Sequence, residues 1–302
     1  MMSNRISTIA LAALALFAAS CNNEHENDAV ETVKYITVKT SIGALSRTST
    51  DGEGVQKFVK DDKISVYAWT GTADVINTYG LAVNNSINTY DGTSAWTSAP
   101  QMLWKDLTSA HYFLGIYPAR EVSGFTADTY TLDLTKSQED NDLLVAVNTG
   151  TNKAGLTASA TAVPLQFDHV MAKLIVNLTF RNQWAETPTV VSVTTSNLKS
   201  KATVNYLTKS VTATNDVATA IELLTATAHT SYQSVMVPQA GAEARIAVKI
   251  GEKDYIYTGT VKLESGKYTT VSLIVGRDAI TLGSVSINDW WKGENITGGE
   301  AQ

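Results

Sequence analysis

A single cysteine, Cys21, stands in a chain of 302 residues. One thiol cannot build an intramolecular disulfide framework or a thiolate-rich zinc site, so stability has to come from packing. An excess of positive charge is missing as well: 23 Lys and Arg stand against 29 Asp and Glu, a formal net charge of −6. With no basic cluster, nucleic acid is not an expected partner. Charged residues make up only 17% against 44% hydrophobic, which leaves enough apolar material for cores and argues against disorder over most of the length. Beyond the first twenty residues no apolar run is long enough to span a bilayer. Leu-rich helical stretches are scarce, whereas 40 residues are Thr, a β-branched type that favours strands. The length fits one large domain or two of about 150 residues.

Catalytic signatures are also lacking. The four histidines, His25, His111, His169 and His229, do not have the spacing of a metal site, and His169, at the head of a strand, reads as structural. There is no G-x-S-x-G, H-E-x-x-H, P-loop or Rossmann fingerprint. The acidic run Glu139-Asp140-Asn141-Asp142 lacks the Gly and Glu that an EF-hand loop requires, so it reads as a solvated loop. Nothing selects a carboxylate pair for glycoside hydrolysis. The expectation is a non-enzyme with no cofactor and no metal.

What is present begins with an address. Arg5 precedes an apolar run from Ile9 to Ala19, and small residues precede Cys21, which is the layout of a secretory signal over residues 1–20. Ala18-Ala19-Ser20-Cys21 resembles a bacterial lipobox, whose Cys becomes the lipidated first residue. Cleavage there would leave 302 − 20 = 282 residues, with 22 positive and 29 negative charges. Each buried methylene of a lipid chain contributes about 0.8 kcal/mol, so several chains anchor stably. Residues 21–32 are polar and acidic and read as a flexible tether.

From residue 33 the pattern has a period of two. Strands are expected at 33–40, 64–69, 111–117, 130–134, 143–147, 163–167 and, most clearly, Lys173–Phe180, where Leu174, Val176, Leu178 and Phe180 share one face. The polar stretch Arg181–Pro188 marks a domain boundary or sheet crossing. Strands resume at 190–194, 202–206, 234–237, 245–250, 255–261, 268–275 and 280–287, with hairpin loops at Gly251–Asp254 and Glu264–Lys267. Asn215–Ala228 suggests a short helix with Val217, Ile221 and Leu224 on one face. Strands at this spacing indicate antiparallel sandwiches, a N-terminal domain over 33–182 and a C-terminal one over 183–302. Of six tryptophans, the adjacent pair Trp290-Trp291 stands out: neighbouring strand residues face opposite ways, so an exposed indole is expected there as a docking aromatic.

Several segments together resemble the fimbrillin family of Bacteroidetes. Phe58-Val59-Lys60-Asp61-Asp62-Lys63-Ile64-Ser65-Val66 is similar to the family's F-x-x-G-D-x-I-x-V, with Asp61 where Gly is usual. Tyr112–Pro118 resembles its strand ending in Tyr-Pro, and Asp142–Ala146 its D-L-[LM]-x-A. Phe167–Leu174 resembles F-x-H-x-[ML]-[AS]-K, and Ile287–Trp290 a closing I-x-x-W. The resemblance implies two transthyretin-like β-sandwiches and a non-catalytic part in a surface fibre, with other fimbrial subunits as partners and the outer membrane reached through the lipid on Cys21. It also implies removal of the first strand by an Arg-specific or trypsin-like protease and its replacement by a strand from the next subunit, a case of β-strand addition. Arg47, followed by Thr48-Ser49-Thr50-Asp51-Gly52, is the cleavage candidate, alternatively an ordinary surface arginine. Since only a polar tail follows Trp291, the donor would have to be 280–287 itself. The other reading is a stand-alone lipid-anchored adhesin with a host glycan or protein receptor.

Overall fold

The structure, a computed structural model, describes residues 34–43, 57–133, 138–218 and 220–290. Cys21, Arg47 and Trp291 lie outside the described residues. The fold is all-β, as expected, and its strands form four sheets.

The first sheet holds β1 (Val38–Ile42), β2 (Lys63–Thr70), β3 (Leu81–Tyr90), β4 (Trp96–Ala99), β5 (His111–Tyr117), β7 (Leu144–Asn148) and β8 (Val163–His169), in the order β1-β8-β7-β5-β2-β3-β4. A three-stranded sheet joins β6 (Asp128–Thr131) to β11 (Lys201–Asn205) and β12 (Ser210–Ala213). The third sheet runs β13-β10-β16-β17, from β10 (Val190–Ser196), β13 (Ile221–Glu222), β16 (Gln239–Ile250) and β17 (Lys253–Leu263). The fourth runs β14-β15-β9-β18-β19, from β9 (Ala172–Phe180), β14 (Leu224–Thr227), β15 (Ser231–Met236), β18 (Lys267–Val275) and β19 (Ile280–Asp289).

β2 and β5 are buried on both faces, which is why they read as nearly continuous apolar runs rather than clean alternations. Ile64, Val66, Ala68 and Phe113 point into a small core shared with β1 and β8, while Tyr67, Trp69, Leu114 and Ile116 point into a larger core shared with the C-terminal sheets. The first sheet is therefore the wall between two cores.

Strand pairing corrects several expectations. β9 pairs with β15 and β18, so the change from N-terminal to C-terminal partners falls between β8 and β9 rather than at residue 182. Arg181–Pro188 is indeed a sheet crossing, from β9 in the fourth sheet to β10 in the third. Two pairs, β1 with β8 and β9 with β18, are parallel in an otherwise antiparallel fold. Glu264–Lys267 is not a hairpin: it carries the chain from β17 to β18 across the sandwich, with Gly266 at φ 68 donating to Met171 O at 2.8 Å. The segment expected as a helix contributes β13 and β14 instead, with Ile221 and Leu223 buried and Val217 and Leu224 exposed.

Candidate functional site

The first described segment closes the small core. From Ile36 its side chains alternate, with Ile36 and Val38 buried at 2% and 5% exposure and Thr37 and Lys39 turned to solvent. On one side Val38–Ile42 lies parallel to Val163–Phe167, extended by Val163 N–H to Thr37 O at 2.8 Å and Gly43 N–H to Phe167 O at 2.8 Å. On the other, Ile36 N–H donates to Met102 O at 3.0 Å and Trp104 N–H to Lys34 O at 3.1 Å. Trp96 Nε1–H reaches across from β4 to Thr40 Oγ at 3.0 Å. The segment thus bridges the far end of the sheet back onto its beginning, over a floor of Met102, Trp104, Leu165 and Phe167.

The stretch that carries Arg47 leaves and re-enters the described structure at one place. Gly43 bonds to the Phe167 backbone, and Phe58 packs edge-on against the Phe167 ring at 5.4 Å, as well as against Trp96 at 5.1 Å and Tyr117 at 5.4 Å. Asp62 holds the return: its carboxylate accepts from Val59 N–H at 2.7 Å and from Tyr117 O–H at 3.2 Å. Burial raises its pKa, partly offset by those two bonds. Asp61 has φ 72, in the left-handed region that glycine adopts without a steric cost. That explains why Gly is usual in the pattern this segment resembles.

A second constellation lies where the two cores meet. Asp142, just before β7, is fully buried and accepts from His169 Nδ1–H at 2.9 to 3.0 Å. The His169 ring stacks on Trp290 at 4.5 Å with 9° between planes, and the Lys173 ammonium lies 5.9 Å from the Trp290 ring centroid. Trp290 N–H donates to Gly266 O at 3.0 Å. Asp142, His169, Lys173 and Trp290, scattered over 149 positions of sequence (290 − 142 + 1), form one buried cluster that ties β7, β8, β9 and the end of β19 together. Trp290 is 2% exposed, so its expected role as an exposed docking aromatic is corrected: the chain folds the indole inward onto His169. The same indole covers Lys173, which alternation had put on the wetter face of β9.

Sequence reasoning quoted all four residues without foreseeing that they meet, and it missed Met102, Trp104 and Leu165 as the floor under the first strand. The alternation of 163–167 was the available signal for Leu165. A third buried group, Asp128, binds the three-stranded sheet to the first. It accepts from Ser123 Oγ at 2.6 Å and Tyr206 O–H at 2.7 Å and pairs with Arg120 at 3.4 Å. Burial opposes its charge, but these donors hold its pKa below the usual range. Among the described residues no group of three or more His, Cys, Asp or Glu is placed to hold a metal ion.

A profile of the family described as fimbrillin-like matches residues 46–290. No curated protein matches in sequence. Among solved structures, a candidate cell adhesion protein of Bacteroides uniformis aligns at TM-score 0.65 with 18% identity, covering 85% of this chain and 98% of that one. A candidate cell adhesion protein of Bacteroides ovatus gives 0.67 with 16% identity over 86% and 99%. The tip fimbrial protein Mfa3 of Porphyromonas gingivalis gives 0.51 with 10% identity over 85% and 99%. At such identities these likenesses establish the fold.

Proposed function

The chain belongs to the fimbrillin-like family, and from that premise we propose that it is a non-catalytic cell-surface fimbrial subunit, exported as a lipoprotein through Cys21 and assembled by exchange of its first strand after cleavage at Arg47. The observation that carries the proposal is the position of residues 34–43. They form a terminal strand that fills a groove with Ile36 and Val38, and the only covalent link to the rest of the described fold runs through the Arg47 stretch.

A cut after Arg47 puts that strand on a separate peptide, residues 21–47 (47 − 21 + 1 = 27) of a chain starting at Cys21, whose described part, residues 34–43, is held by backbone bonds and two buried side chains. Leaving would expose Met102, Trp104, Leu165 and Phe167 in a slot about 33 Å long at 3.3 Å per residue. An incoming strand with apolar residues at alternate positions refills it. β19 is the donor the sequence suggests, and among the described strands it pairs only with β18. The adhesin alternative loses one of its supports with Trp290 buried.

The test is trypsin treatment of the purified precursor with N-terminal sequencing and electron microscopy. The proposal expects a new start at Thr48, loss of the first strand when partner subunits are added, and no assembly of Arg47→Ala. A precursor that keeps its first strand and never assembles defeats the polymerising reading.

A further inference from the structure

The described edge strands differ in how they are protected. β4, β6, β12 and β14 have four residues each and β13 has two. β1 carries Lys39 and is flanked by 102–104, while β17 carries Lys253, Asp254 and Lys262. β19 has none of these devices. It has ten residues, and from Ile280 to Asn288 it contains no charge and no proline. No described strand pairs beyond it. A long, uncharged, open edge is a template for another strand.

Register gives that edge a chemistry. Ile280, Leu282, Val285 and Ile287 stand opposite Val275, Leu273, Val271 and Thr269 of β18, all buried, and residues directly opposite share a face. The four therefore continue the core stripe of β18. Yet Leu282, Val285 and Ile287 remain 44%, 41% and 36% exposed. Thr281, Ser284, Ser286 and Asn288 face outward. The row is patterned for a core that ends one strand too soon.

We infer that β19 is a pairing edge for β19 of a second copy, joined antiparallel about a two-fold axis. The tail of the same chain, Lys292–Gln302, is a poor cover: it has three glycines and Ile296 as its only β-branched apolar residue. A two-fold contact requires a patch complementary to itself. An uncharged strand with one apolar face meets that requirement, because opposed copies bring apolar residues onto one face and no like charges together. A single added strand pair, about 33 Å long, buries less than the roughly 1,200 to 2,000 Å² of a standard interface, so the dimer is weak, with a Kd of tens to hundreds of micromolar. The inference does not rest on the exchange of the first strand.

The test uses residues 22–302, which retain every described element, in an Arg47→Ala background so that strand exchange after cleavage cannot generate oligomers. Sedimentation and light scattering across about 5 to 500 µM should show a monomer–dimer equilibrium. Val285→Lys, or Ser286→Lys should the first fail to fold, should stay monomeric throughout with an unchanged unfolding midpoint. Ile256→Lys, exposed on the outer face of β17, should dimerise like the parent. Amide exchange should slow within 281–288 as concentration rises. A parent that is monomeric at every concentration, a Val285→Lys variant that dimerises normally, or protection confined to other strands would each overturn the inference.

Discussion

Ile36→Ala is the perturbation that weighs the first strand. The side chain is 98% buried in the small core, and the change removes three carbon atoms. At about 0.8 kcal/mol per buried methylene the transfer cost is about 2.4 kcal/mol, and an incompletely collapsed cavity raises it to about 3 to 4 kcal/mol. For a chain of this size that lowers the melting temperature by about 6 to 16 °C. Lys39→Ala, an exposed neighbour on the same strand, should move stability by less than about 0.5 kcal/mol. Urea unfolding of both variants with constant m-value supplies the comparison. After cleavage at Arg47 the same 3 kcal/mol becomes about a hundredfold weaker retention of the released strand, measurable as faster displacement by a labelled 33–43 peptide. If Ile36→Ala costs less than about 1 kcal/mol, or the cleaved variant holds its strand as firmly as the parent, the strand does not seal the core in the way described.

Other outcomes follow from the same contacts. Asp61→Gly should stabilise the fold by about 1 kcal/mol in urea unfolding, because φ 72 suits glycine; destabilisation would contradict the turn geometry. Asp142→Ala leaves His169 without its buried acceptor and should cost about 1 to 3 kcal/mol, with a matching loss of near-ultraviolet dichroism from Trp290. Asp91 accepts from the backbone N–H and hydroxyl of Thr93, then from Ser94 and Ala95, which lower its pKa to about 2. With the folded pKa below the unfolded one, its contribution is complete above about pH 4 and is lost as pH falls toward 2. Asp91→Asn should remove that contribution, so the variant is less stable than the parent between neutral pH and about pH 5, and the difference shrinks as pH falls toward 2. Burial pushes the Tyr67 hydroxyl up to about 12. Its contribution is present below about pH 10 and lost as pH rises through 12, so Tyr67→Phe should unfold less steeply in alkali.

Much of the fold was legible because period two survives wherever one face of a strand is wet. β5 and β9 were placed within a residue or two from alternation or apolar content alone. β3 was missed because Asn84, Asn85, Ser86 and Asn88 mask its pattern, and Ser86 and Asn88 are buried polar residues bonded to Pro100 O and Ser86 O. Sheet membership was not legible: β9 reads as the close of one block, yet its partners lie more than fifty residues downstream. The candidate site was half legible. Phe58, Asp62, Asp142, His169, Lys173 and Trp290 were all marked by resemblance, but only the three-dimensional structure makes the first two anchors of the N-terminal return and the last four a stacked, buried junction. Of the tryptophan pair, Trp290 is the inward member, and Trp291 lies outside the described residues.

The most direct test of the central claim is the N-terminus of the protein recovered from cells, read separately for membrane-bound and fibre fractions. Lipidated Cys21 is expected at the start of the membrane-bound precursor and Thr48 at the start of the chain in fibres, with residues 33–43 absent from the assembled form. A fibre fraction whose chains still begin at Cys21 and retain Ile36 and Val38, or a protein found in no fibre at all, would contradict it.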